Sequence, residues 1–321
     1  MRKRWHAVLA TALSVAAALP SSAAGATSAD VAGGKVAHVK LTVDEREVRA
    51  FWTPERMSQA RPIDLPAGAA EFGAAQPSTE ASHAPILVPG REPARKPGPP
   101  TAAADLAQLA TPTVGRLFLQ WSDGSTGSCS ASTVPSPHRN LILTAGHCVY
   151  KHSKRIWIKH GFYDPYFRYG ADPYYGSWVL DRAFVSADWL NAAEFTRTND
   201  VAFATIRGRT NGTEVEDLAG SNGMGFFPPP FYQGTVFGYP AEPPYDGNLQ
   251  MNCTGSVSLT IIKCPFTGGS SGGPWLRDYQ NERRWGYVTG LTSTGVTDVD
   301  LRSPQFGYPA YLVWEEAKIY D

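Results

Sequence analysis

Residues 267–274 read Thr267-Gly268-Gly269-Ser270-Ser271-Gly272-Gly273-Pro274. Two hydroxyls lie between paired glycines, and a proline closes the run. Glycine permits positive φ and close backbone approach, so a bound carbonyl could reach the chain's own N–H groups without meeting side chains. A Gly/Ser linker is the competing reading. Against it, the run is short, ends in Pro274-Trp275-Leu276 and lies inside strand-patterned sequence. A serine so placed becomes a nucleophile only when a base and an orienting acid activate it.

The sequence holds 7 histidines, of which His6, His38 and His83 lie far toward the start of the chain. His138 sits in a turn, and His152 and His160 stand among lysines, where solvated surface roles suffice. His147 follows the apolar run Leu141-Ile142-Leu143-Thr144 through Ala145-Gly146 and adjoins Cys148. Imidazole titrates near neutrality and suits a general base, although a strand-end histidine with one satisfied hydrogen bond explains that placement equally well. Asp200 leads into Val201-Ala202-Phe203-Ala204-Thr205-Ile206 and is poised to become partly buried. A buried carboxylate needs a charge-assisted partner, and the imidazole N–H of His147 would supply it. The rivals Asp164, Asp172, Asp181, Asp188 and Asp217 each sit in turn-like or exposed sequence.

The elements that would carry these residues are strands. Short β-like runs span 114–121, 141–144, 155–159, 178–185, 201–206, 232–239, 249–253, 256–262 and 284–291, and only 311–320 reads as a helix. Gly 31, Pro 26 and 12% aromatic residues fit a turn-rich β protein. Many strands with hardly a helix imply a sandwich or barrel. A net charge of +0 points to neither nucleic acid nor an anionic membrane as partner.

Residues 1–26 read as a signal peptide: Met1-Arg2-Lys3-Arg4 is basic, residues 7–19 are apolar, and small residues follow. No other apolar run is long enough to span a bilayer, so the exported chain is expected to be free of the membrane and extracellular. Residues 27–111 are rich in Ala and Pro, lack cysteine, and read as a low-order propeptide; within them, 44–61 mixes charge with Val48, Phe51, Trp52 and Met57 and could fold or dock. In an oxidising compartment Cys129, Cys148, Cys253 and Cys264 are expected as disulfides. Three pairings are open, of which sequence order suggests 129 with 148 and 253 with 264. No CxxC spacing supports zinc, and no metal is expected.

Leu143-Thr144-Ala145-Gly146-His147-Cys148, then Asn199-Asp200-Val201-Ala202, then Gly269-Ser270-Ser271-Gly272-Gly273-Pro274 resemble, in that order, the three signature blocks of the trypsin/chymotrypsin-like serine peptidases. The resemblance covers residues 112–321. It implies an all-β fold of two antiparallel Greek-key β-barrels with a C-terminal helix. It also implies Ser271 as nucleophile, His147 as general base and acid, and Asp200 as the group that fixes the imidazole. The N–H groups of Gly269 and Ser271 would form the oxyanion hole, and Ser293 and Gly295 would line the substrate main chain, with Ser293 near Asp200. Cys129 and Cys148 match the family's disulfide around the histidine loop. Protein or peptide substrates, no cofactor and a monomeric state follow as expectations. An esterase on the same triad and a noncatalytic peptidase-like binding module are the alternatives.

The chain departs from the patterns of this family in three places. Ser270 stands where trypsin has the aspartate that pairs with a newly cut N-terminus, which places that activation route in doubt and resembles bacterial secreted peptidases of the glutamyl endopeptidase-like branch. Pro265 replaces the pocket aspartate, so a preference for Arg or Lys is unsupported. Thr292 stands where glutamate-specific relatives often carry histidine, and Phe266, Thr267 and Gly295 suit an uncharged pocket. Asp298 and Asp300 could supply charge from an adjoining loop or bind a cation, but a solvated loop is the preferred reading.

Overall fold

A computed structural model describes residues 30–32, 35–63, 83–95, 110–193, 195–297 and 300–321. The signal peptide expected at 1–26 and Asp298 lie outside them. The strands are β1 (Asp30–Ala32), β2 (Val36–Lys40), β3 (Ile86–Val88), β4 (Val114–Trp121), β5 (Thr126–Val134), β6 (Leu141–Thr144), β7 (Tyr150–Lys151), β8 (Ile156–Pro165) and β9 (Trp178–Ser186). They continue as β10 (Ala202–Ile206), β11 (Gly223–Phe226), β12 (Phe231–Gly238), β13 (Met251–Ser258), β14 (Ile261–Lys263), β15 (Pro274–Gln280), β16 (Trp285–Leu291), β17 (Thr294–Thr297) and β18 (Asp300–Arg302). The helices are short: α1 (Glu45–Phe51), α2 (Pro54–Gln59), α3 (Gly146–Val149), α4 (Ala187–Asn191), α5 (Val215–Ala219) and α6 (Tyr308–Ala317).

Two sheets carry the fold. The first runs β1-β2-β9-β10-β6-β5-β4-β8-β7, and a further β8–β9 pairing closes its six central strands into a barrel. The second runs β17-β18-β14-β13-β12-β15-β16-β11-β3. Pairing is antiparallel except between β11 and β16, which run parallel. Leu117, Leu119, Ile142, Phe184 and Phe203 are fully buried in the first core, while Val236, Val257, Ile262, Trp275 and Leu301 cluster in the second. Each such side chain contributes about 1.5–3 kcal/mol through burial. Among the described residues no helix is long and apolar enough to cross a membrane.

Several expectations need correction. β5 and β15 fall outside the strands read from sequence, because Ser, Thr and Gly in one and Arg, Asp and Gln in the other hide the pattern. The break expected near Thr254-Gly255 is instead continuous strand, with Gly255 directly opposite Gly234; the chain turns at Leu259, where φ is +57°. Pro309 starts α6 earlier than expected, and Ala310, Val313, Trp314 and Ala317 form its buried face.

The low-order description of 27–111 does not hold for residues 35–63 and 83–95. β2 pairs with β9 from Val36↔Ser186 to Lys40↔Arg182, and Val36, Ala37, Val39 and Leu41 are buried beneath it. Asp44 caps α1 by accepting the Arg46 N–H, Thr53 caps α2, and Val48 and Trp52 are buried. Near Arg91 the backbone pairs with Ser221 in an antiparallel bridge.

The surface placement expected for His160, and the exposed or turn-like placement of Asp164 and Asp181, are also overturned. Along β8, Lys159 points out and His160 in, where it accepts a hydrogen bond from Trp52 Nε1 at 3.3 Å. Burial, with Lys159 adding to it, pushes His160 down to about 4. Burial pushes Asp164 up to about 7, opposed by the Ser177 hydroxyl and the charges of Arg49 and Arg116. Asp181 is buried against Lys40 and Arg207.

His160 and Asp164 act on stability in opposite senses. Between pH ~6.5 and ~4 the unfolded chain protonates His160 before the folded chain does, so stability falls as pH drops. From ~4 to ~7 the folded chain holds the Asp164 proton that the unfolded chain has lost, so stability falls as pH rises. Asp164→Asn should unmask the histidine, and the unfolding free energy from urea titrations should climb by up to a few kcal/mol between pH ~4 and ~6.5. A variant profile as flat as the parent's would contradict the opposing pair.

Candidate active site

β6 and β10 are neighbours with Thr144 opposite Ala202, and the chemistry-bearing residues leave both strands at the same end. His147 follows Thr144 by one short turn, and Asp200 precedes Ala202. The Asp200 carboxylate is fully buried. Its Oδ1 accepts the His147 backbone N–H at 2.8 Å, its Oδ2 lies 2.8 Å from His147 Nδ1, and the Ser293 hydroxyl donates to Oδ2 at 2.6 Å. Charge-assisted bonds of this length are what a buried carboxylate requires. His147 is itself buried, its Nε2 has no hydrogen-bond partner among the described residues, and the Phe195 ring stands nearly perpendicular to its own with centroids 6.2 Å apart.

Ser271 comes from the turn between the second sheet's β14 and β15. Ser270 donates both its N–H, at 3.3 Å, and its hydroxyl, at 2.7 Å, to the Thr267 carbonyl, so its side chain is tied back into its own turn. Gly269 and Gly272 hold φ of +91° and +81°. A Cβ at Gly272 would stand 2.3 Å from the Ser130 carbonyl oxygen, so neither its conformation nor its space admits a side chain. Gly272 N–H donates to Thr292 at 2.7 Å and Gly273 N–H to Ser270 at 2.9 Å. Among the described residues the N–H groups of Gly269 and Ser271 donate to no backbone carbonyl.

Sequence reasoning missed the brace of this turn. Ser130, on β5, donates its N–H to the Ser271 carbonyl at 2.7 Å and its hydroxyl to the Gly269 carbonyl at 2.9 Å, and its hydroxyl accepts the Tyr239 N–H at 2.8 Å. Its place beside Cys129 was the available signal. The Ser271 hydroxyl does not bond to His147 here but donates to the Ile63 carbonyl at 3.4 Å, across 208 residues of sequence.

Around this centre, Ser293 N–H donates to Arg302 at 2.9 Å, and Gly295 is exposed on β17, the edge strand of its sheet. Thr292 is buried, its hydroxyl accepting from Trp275 Nε1 at 3.1 Å. Phe266 is buried against Tyr245, Pro265 is exposed, and the Glu242 carboxylate accepts the Gly268 N–H at 3.3 Å, a charged group that sequence reasoning had not placed there. Disulfides join Cys129 to Cys148 and Cys253 to Cys264. Cys129, His147 and Cys148 lie close together, but both sulfurs are bonded to one another and offer no thiolate to a metal.

No protein-family model and no curated protein matches the chain. Solved structures do. The thermostable serine protease AL20 from an extremophilic microorganism is 28% identical, with a TM-score of 0.60 over 66% of this chain and 99% of that one. The protease Anisep from Arthrobacter nicotinovorans is 27% identical, with a TM-score of 0.59 over 66% of this chain and 98% of that one. The chain is a trypsin/chymotrypsin-like serine peptidase. A Glu endopeptidase, 17% identical with a TM-score of 0.51 over 72% of this chain and 98% of that one, shares the peptidase fold.

The tightest geometric demand in the site yields a direct check. Gly272→Ala should destabilise the peptidase by at least about 2 kcal/mol, because backbone strain and overlap with Ser130 add. A urea midpoint within error of the parent would show that the turn relaxes more readily than the geometry indicates.

Proposed function

We propose that this serine endopeptidase cuts peptide bonds through an acyl-enzyme on Ser271. The observation that carries the reading is the buried Asp200 carboxylate bonded to His147 Nδ1 at 2.8 Å, with Ser271 in the adjoining glycine turn. Asp200 fixes the tautomer that leaves Nε2 to accept the serine proton, and stabilises the imidazolium that forms. Ser271 Oγ adds to the substrate carbonyl, and the oxyanion is met by the N–H groups of Gly269 and Ser271. His147 returns the proton to the leaving amine, then activates the water that releases the acyl group. The substrate main chain lies along Ser293 and Gly295, and its side chain enters near Phe266 and Thr267.

The compartment belongs to the same reading: a signal peptide at 1–26 and two disulfides suit a secreted monomer that acts outside the cell. Residues 27–111 are a propeptide. Supporting this, AL20 and Anisep are covered almost whole, while about a third of this chain has no counterpart in them.

Cleavage profiling tests the assignment. The protein is incubated with a denatured protein mixture and the residues flanking each new cut are read. Ser271→Ala should lower cutting by at least about 10⁴-fold, whereas Ser270→Ala should keep most of it. The reverse result would move the nucleophile by one residue, and retained cutting in both variants would exclude the triad.

A further inference from the structure

β5 pairs with β4 along nearly its whole length, but with β6 only from Ser132 to Val134. Its other edge, over residues 127–130, faces the active site. Ser130 bonds there to Ser271, and at Ser128 the edge is taken by a piece of the N-terminal region. Ser128 N–H donates to the Arg61 carbonyl at 2.8 Å, Ile63 N–H donates to the Ser128 carbonyl at 3.1 Å, and Pro62 and Ser128 form a parallel bridge. The Ser128 hydroxyl donates to the Ala60 carbonyl at 3.3 Å. Ile63 Cγ1 lies where a Cβ on Gly127 would come within 2.5 Å of it, so its side chain rests directly on that glycine. Pro62 suits the bridge, because this pairing uses the N–H of Ile63 and the carbonyl of Arg61 but no donor between them.

Direction separates a ligand of this edge from a substrate. β5 advances on Ser271, since Ser130, two residues past Ser128, bonds the Ser271 carbonyl. A segment parallel to β5 also advances on Ser271 as it passes from Arg61 to Ile63. The leaving portion of a peptide does the opposite, starting at the bond being cut and running away. That portion belongs on this side, because its amine takes a proton from His147, and Cys129 of β5 is bonded to Cys148, the next residue after His147. The segment finishes with the Ile63 carbonyl oxygen accepting a hydrogen bond from the Ser271 hydroxyl, so what meets the nucleophile is an acceptor oxygen.

We infer that the edge of β5 at residues 127–130 is a main-chain binding site which residues 60–63 occupy in reverse, as a built-in inhibitor that Ser271 does not cut. The inference rests on the triad reading above. Ala60, the first residue of the segment, is buried in the first core, as are Val48 and Trp52 before it.

The test treats the full-length protein with an organophosphorus serine reagent and follows labelling by intact mass, so that uncut chains are read separately from processed ones. Ile63→Pro removes the N–H that the Ser128 carbonyl accepts, and Ile63→Ala, which trims only the side chain, guards against a misfolded first variant. Uncut parent should label slowly, both uncut variants faster, Ile63→Pro by about tenfold, and the Ile63–Asp64 bond should stay whole. Ser271→Ala should not label. Equal rates for the three uncut proteins would overturn the inhibitor. A Ser271-dependent cut between Ile63 and Asp64, at a rate independent of protein concentration, would show a bound substrate and overturn the reversed direction. If Ser271 labels in no protein, even after added protease has removed the N-terminal region, the triad reading itself fails and the inference falls with it.

Discussion

A fully buried carboxylate is the constraint on which the arrangement depends. Asp200 has no surface exposed to solvent, and an unpaired charge there would cost several kcal/mol. Its three donors come from two stretches of chain: the backbone N–H and the imidazole of His147 on α3, and the hydroxyl of Ser293. The first two belong to the first sheet's connections, while Ser293 lies between β16 and β17 of the second. Satisfying one charge therefore fixes how the two sheets meet. A shift between them would strip Asp200 of a donor before it disturbed any large apolar contact.

Ser130 performs the complementary task from β5. It ties the glycine turn to β5 through two carbonyls and receives Tyr239 N–H from the end of β12, while Thr144 Oγ1 donates to its own carbonyl at 2.9 Å. Every polar atom of one small, fully buried residue is thus engaged with a segment that carries or adjoins a site residue. Small size is what makes this possible, because Gly272 approaches the Ser130 carbonyl too closely for any bulkier neighbour.

How much of this was legible follows from whether a signal is local. β4, rich in Val, Leu, Phe and Trp, and β6, an apolar run closed by Thr144, could be read to the residue, and the motifs around His147, Asp200 and Ser271 are contiguous blocks. β5 could not be read, since its burial comes from small polar side chains whose hydroxyls find partners only in the folded protein. His160 could have been found, because its period-two neighbours Ile158 and Phe162 mark the inward face of β8. The N-terminal region misled because its Ala- and Pro-rich composition outweighed one five-residue strand whose partner, β9, lies about 140 residues away. The contact of Ile63 with Ser271 has no local signature.

The pairing of β2 with β9 bears on what happens if the chain is cut beyond Ile63. The N-terminal piece would still be hydrogen-bonded along five residue pairs and packed through Val36, Val39, Leu41, Val48 and Trp52. A covalent tether would become a two-body equilibrium, governed by mass action rather than by bond breaking. Dilution would then promote escape and crowding would oppose it. The released piece could also rebind a different molecule that had already lost its own.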